Sequence, residues 1–271
     1  DTFGAILCGL FAGTVSNLLA KWKVNALFNT MACAFVIGIT AYLYGIAGFA
    51  VNVDGIMISS LMLLVPGLLF TNAMRDIIYG DTTSGVNRIV QVVLVAMALA
   101  LGTAAAWSVV SGLLGDPAGA AVISHSALVQ CLFCFIGCIG FVILFNIHGP
   151  GGLICALGGA ATWLVYLIAF QISGSDLTAY FWSALFASFY SEVMARIRKY
   201  PAISYLVVSI FPLIPGAGVY YTMNYAVRGM NEEFAVQGLH TAAIAGIIAV
   251  GILLASTTVR MYLTWRGQRK K

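Results

Sequence analysis

Nine stretches of this chain carry few charges and are each long enough to cross a membrane as a helix: residues 2–20, 26–50, 55–79, 87–114, 127–147, 151–173, 177–196, 202–228 and 236–263. A bilayer core about 30 Å thick is crossed by about 20 apolar helical residues. The pattern therefore predicts an all-α integral membrane protein of about nine transmembrane helices. The runs are rich in Leu, Ala and Gly and lack sustained alternation of polar and apolar positions, which sets aside a transmembrane β-barrel. With 61% hydrophobic and 8% charged residues and a mean hydropathy of +0.99, the chain has too little polar surface for a soluble domain.

The few charges predict an orientation, because short cytoplasmic loops collect Lys and Arg. Threading nine helices with the C-terminus in the cytoplasm puts Lys21, Lys23, Arg75, Arg88, Arg196, Arg198, Lys199, Arg260, Arg266, Arg269, Lys270 and Lys271 on that side and leaves only Arg228 outside. Asp1, Asp54, Asp116, Asp176, Glu232 and Glu233 fall at the external ends; Asp76, Asp81 and Glu192 are the acids on the basic side. The net charge of +4 is thus a sided membrane feature that calls for no nucleic-acid partner.

An internal repeat emerges at a separation of 149 residues, the distance from Pro66 to Pro215. Leu64-Val65-Pro66-Gly67 answers Leu213-Ile214-Pro215-Gly216, and Ser60/Ser209, Met74/Met223, Gly80/Gly229, Ala96/Ala245 and Gly102/Gly251 agree. An odd number of helices separates equivalent positions, so the copies are expected in opposite orientations, as in secondary transporters built from inverted repeats. The division that follows is a first membrane repeat at 1–114, an external linker at 115–126 and a second repeat at 127–271. With five helices per repeat, the second is complete and the first lacks its opening helix, which is expected upstream of Asp1.

Proline inside a helix removes a backbone hydrogen bond and clashes with the preceding turn. Pro66-Gly67 and Pro215-Gly216 are therefore expected to break two helices. Freed backbone groups at membrane depth are tolerated only against protein or a water-filled cavity, so a symmetric pair of breaks points to a central site. A structural kink without ligand contact is the competing account.

Three stretches, VPGLLFTNAMRDIIYGDTTSG at 65–85, ILFNIHGPGGLICALGGAATWLVYL at 143–167, and SEVMARIRKYPA followed by FPLIPG within 191–216, resemble the threonine/serine exporter family of bacterial and fungal membrane proteins. The resemblance spans nearly the whole chain. It implies a multi-pass protein of the plasma (inner) membrane that exports threonine and serine, with protons as the coupling partner; split two-subunit relatives imply dicarboxylates such as succinate as the alternative cargo.

Beyond the first break, Thr71, Asn72, Arg75 and Asp76 are the candidate substrate or coupling residues. Asn72, Arg75 and Asp76 share one helix face at i, i+3, i+4. Arg can hold a carboxylate, and Asp an ammonium or a proton, the two ends an amino acid presents. The plainer reading makes Arg75 and Asp76 a helix-end charge pair snorkelling to the interface. In the second repeat Tyr220, Tyr221 and Asn224 offer hydroxyls and an amide without a carboxylate, with interfacial anchoring as the alternative role for the tyrosines. Asp81 and Glu192 are weaker candidates: Asp81 as a loop charge, Glu192 because an i,i+4 ion pair with Arg196 is its default partner.

Cys131, Cys134 and Cys138 fall at helical spacing but without nearby His or acidic partners, so packing accounts for them better than a metal, and no cofactor motif, phosphate loop or catalytic triad is found. Gly9, Gly13, Gly158 and Gly159 are expected at close helix contacts. Three function classes follow: a secondary exporter of a small polar solute, which the paired breaks favour; a passive channel; and a membrane-embedded enzyme or scaffold. Unpaired apolar faces in the bilayer would permit a homo-oligomer.

Overall fold

Within lipid no water is present to satisfy a backbone amide or carbonyl, so an apolar chain must satisfy them internally, and helices do so within a single segment. The computed structural model describes residues 1–114 and 125–268, and among these the chain is all-helical. Most of the 115–126 linker, including Asp116, and the terminal Arg269, Lys270 and Lys271 lie outside the described residues.

The helices in chain order are α1 (Thr2–Lys21), α2 (Ala26–Ile46), α3 (Val53–Leu61), α4 (Gly67–Ile78), α5 (Thr82–Leu114), α6 (Ala127–Leu144), α7 (Gly151–Ser173), α8 (Asp176–Arg198), α9 (Ala202–Ile210), α10 (Gly216–Val227) and α11 (Asn231–Gln268), with a 3₁₀ turn at Phe211–Leu213. Among the described residues α1, α2, α5, α6, α7 and α11 are each long and apolar enough to cross a membrane, and the bent pair of α9 and α10 makes a seventh span if taken as one. Polar side chains mark several starts: Asn25 accepts from the Leu27 amide at 2.9 Å to open α2, and Asn52 accepts from the Gly55 amide at 2.8 Å to open α3.

The helix bounds repeat at the separation seen in the sequence. Moved by 149 residues, α3 and α4 coincide with α9 and α10 at both ends, and α1 and α5 share their first residues with α7 and α11.

The described chain forms two compact units, each assembled from both halves of the sequence. The first comprises Asp1–Phe70, α5 from Asn87 onward and Pro215–Thr241; the second comprises Thr71–Val86, α6 through Ile214 and α11 from Ala242 onward. In the first unit, Cys8, Cys33, Ile37, Tyr42, Ile56, Leu61, Leu99 and Tyr220 are buried in one apolar core. Helices α2 and α5 approach through small residues: a Cβ at Gly102 would press on the Met31 carbonyl and lie 2.8 Å from the Ala34 Cβ, and one at Gly38 would lie 2.7 Å from the Ala106 Cβ. The second unit packs α8 and α11 the same way, with Gly251 against Ala184 and the Leu185 amide. In the bilayer such close backbone approach supplies much of the packing energy that apolar side chains supply in water.

Gly158 and Gly159 lie in tight contact with Tyr190, Ser209 and Cys138, whereas the space beyond Gly9 and Gly13 is open, so the latter two do not mark helix contacts within the described residues. The cysteines are free; Cys134 points its thiol at the Gly159 carbonyl and Cys155 at that of Ser204. Overpacking a tight contact costs about 1–3 kcal/mol. Gly102→Leu should therefore lower the thermal unfolding midpoint of the purified protein markedly, while Gly13→Leu leaves it near wild type.

Candidate functional site

The site begins where two helices stop. Helix α3 ends at Leu61, whose carbonyl accepts from the amides of Leu64 (2.8 Å) and Val65 (3.0 Å); Pro66 can donate nothing, and α4 restarts at Gly67. The second break follows the same plan. After the 3₁₀ turn, the Ile214 amide donates to Phe211 at 3.2 Å, Pro215 caps α10, and the Val219 amide returns to the Pro215 carbonyl at 3.1 Å. Within the first unit the two breaks meet: a Cβ at Gly216 would lie 2.9 Å from the Met62 sulfur and 3.3 Å from Val65.

Past its break, α4 carries Arg75 and Asp76 into a cavity of about 480 Å³ in the second unit, shared with Tyr79, Asp81 and Glu192 and with the hydroxyls of Ser188, Ser191 and Ser256. Arg75 Nη2 lies 3.9 Å from Asp76 Oδ1, at the outer limit of an ion pair, with side chains 29% and 15% exposed. Asp76 Oδ2 also accepts from the Ser84 hydroxyl at 3.4 Å. Glu192 pairs with Arg196 at 2.6 Å, the i,i+4 bridge expected from the sequence. The three serines donate to main-chain carbonyls, Ser188 to Ile252 (3.3 Å), Ser191 to Ala187 (2.7 Å) and Ser256 to Leu253 (3.1 Å), so their oxygens face the cavity as acceptors. Three carboxylates and one guanidinium line the cavity, with Glu192 paired to Arg196, an array that offers acceptors to an ammonium group or a proton.

Asp81 has a structural duty as well: its carboxylate accepts from the Ser84 amide at 3.3 Å at the start of α5, an N-cap. Thr71 is buried and Asn72 half-buried on α4, and neither is among the residues lining this cavity.

Tyr220, Tyr221 and Asn224 line a different cavity, of about 330 Å³, in the first unit. Around them stand residues that the sequence reading did not select: Tyr42, Asp54, Trp107, Tyr225 and Arg228. Asp54 and Arg228 read as external loop charges and Tyr42 and Trp107 as parts of apolar runs. The repeat was the signal that could have found them. Ser191, Ala202, Ile203, Leu206 and Ser256 of the larger cavity stand 149 residues after Tyr42, Val53, Asp54, Met57 and Trp107; Arg75, Asp76 and Tyr79 stand 149 before Asn224, Tyr225 and Arg228.

Two family models match the chain: one described as "Threonine/Serine exporter, ThrE" over residues 130–258, the other as "Putative threonine/serine exporter" over residues 1–110. No curated protein and no solved structure matches it significantly.

An exposed i,i+4 ion pair is worth about 0.3–0.5 kcal/mol. Glu192→Gln should accordingly shift the stability of the purified protein by no more than about that amount in a denaturation series. A loss of several kcal/mol would show that Glu192 does more in the fold than pair with Arg196.

Proposed function

The chain belongs to the threonine/serine exporter family, and from that premise we propose that it is a secondary active exporter of threonine and serine, driven by the proton gradient and working as an antiporter of the plasma (inner) membrane. The observation that carries this reading is the acidic, serine-lined cavity at the far end of the first broken helix. Arg75 there takes the substrate carboxylate, the serine hydroxyls and a carboxylate take the ammonium, and Asp76 exchanges the proton. A second carboxylate on the solute would meet the carboxylates of the lining, so the cavity favours an amino acid over a dicarboxylate such as succinate.

An inverted repeat, 1–114 and 127–271, is supported by the coincidence of helix bounds and of cavity-lining positions at 149 residues. The proposed topology has nine crossings, adding α8 and the α3–α4 pair to the seven apolar spans, with the C-terminus in the cytoplasm. Helix α8, with 23 residues, is about 35 Å long at 1.5 Å per residue. Its polarity comes partly from Ser183, Ser188 and Ser191, which are buried in protein rather than turned to lipid. Paired broken helices suit alternating access, whereas a passive channel would need a continuous polar path.

The test is flux of labelled threonine, serine and succinate from proteoliposomes holding the full-length protein, with and without an imposed proton gradient. Wild type should move threonine and serine faster with the gradient and succinate poorly. Asp76→Asn should abolish the gradient's effect, and Arg75→Gln should raise KM for threonine about tenfold or more, the equivalent of losing one charge-assisted contact. Succinate flux alone would replace the amino-acid reading, and gradient-independent flux would favour a channel.

A further inference from the structure

The smaller cavity is not used by the mechanism above, yet it is furnished for a ligand. Two of its tyrosines are buried: Tyr42 and Tyr220 are 4% and 3% exposed, packed in the apolar core of the first unit. Their positions are fixed. Tyr42 meets Trp107 edge to face at 5.4 Å between ring centroids, and the Tyr220 hydroxyl donates to Thr103 Oγ1 at 3.3 Å. Tyr221 stands between Tyr220 and Tyr225, with centroids 5.5 and 6.3 Å away.

Two opposite charges open onto this aromatic wall, Asp54 from α3 and Arg228 from the end of α10. Among the described residues neither side chain forms an ion pair or hydrogen bond, with the other or with a third group. Beside them Asn224, 8% exposed, is part of the same lining.

We propose that this cavity is a second solute-binding station, in which Asp54 takes the ammonium and Arg228 the carboxylate of an α-amino acid zwitterion seated against Tyr42, Trp107 and Tyr221, with Asn224 as a hydrogen-bond partner. The aromatic faces add a cation–π attraction to the ammonium, while Asp54 and Arg228 stand exposed at the mouth of the cavity. The lining carries one negative and one positive charge, so a zwitterion matches both. A dicarboxylate meets Asp54 with like charge, and an amine without a carboxylate leaves Arg228 unmatched. The cavity lies at the small end of the range for ligand sites, as a solute of threonine's size requires. The proposal rests on the exporter reading only for the identity of the zwitterion.

The test is calorimetric titration of the full-length protein in lipid nanodiscs with L-threonine, with its analogues lacking the carboxylate (1-amino-2-propanol) or the ammonium (3-hydroxybutyrate), and with L-alanine and glycine as other zwitterions. Wild type should bind two equivalents of threonine. Asp54→Asn and Arg75→Gln should each bind one, and their combination none. At the site that survives Arg75→Gln, Trp107→Leu, Arg228→Gln and either analogue should lose about tenfold or more in affinity, while Trp107→Phe keeps most of it. Thermal unfolding of each variant separates lost binding from lost fold, and Arg228→Gln and Trp107→Phe test the site even if Asp54→Asn does not fold. Two undiminished equivalents in Asp54→Asn, or a single equivalent lost with Arg75→Gln alone, would overturn the second station while leaving the exporter reading intact. Binding of alanine or glycine that depends on Asp54, with none of threonine, would uphold the station and overturn threonine as the cargo.

Discussion

The structure depends on one constraint: a backbone amide inside a bilayer has to find its partner within the protein. Uninterrupted helices meet it at no further cost, which is why the chain is built of them. The two places where it departs from them are the informative ones. At Pro66 and Pro215 the ladder is interrupted by a residue that cannot donate, and the chain restores order with tight turns before and a glycine-started helix after. The helices α4 and α10 that leave these breaks carry the polar side chains that reach both cavities.

One helical frame thus supports two chemistries. At matched positions Ser191 stands where Tyr42 does, Ser256 where Trp107 does, and Asp76 where Tyr225 does. One cavity is consequently lined with hydroxyls and an excess of carboxylate, the other with aromatic rings and a balanced pair of charges. The frame sets where a site can be; the side chains decide what it can hold.

Much of this was legible in the sequence because its causes are local. Apolar runs specify helices, Pro-Gly specifies a break, and i, i+4 spacing foretold the Glu192–Arg196 pair. Arg75 and Asp76 could be singled out because they follow the break closely along one helix. What stayed hidden depends on long-range assembly. The smaller cavity draws on segments from Tyr42 to Arg228, and no local pattern ties Asp54 to Trp107 or to α10. Tyr220 read equally well as an interfacial anchor because position near a helix end says nothing about which face is buried. Asp81 read as a loop charge, and its capping role appeared only with the backbone of α5. Gly9 and Gly13 show the converse error, since small residues permit close packing without requiring it.

The composition of the first unit also bears on how the protein is made. Tyr220 is part of the same buried core as Cys33, Ile37 and Leu99, and its hydroxyl reaches Thr103. That core cannot close until α10 has been synthesised, long after α1 to α5 have left the ribosome. Closing such a distance carries an entropic cost that must be met before the contacts reward it. Until then the first helices have an unfilled place among them, so the maturation of the first unit is timed by the arrival of α10 rather than by its N-terminal segments.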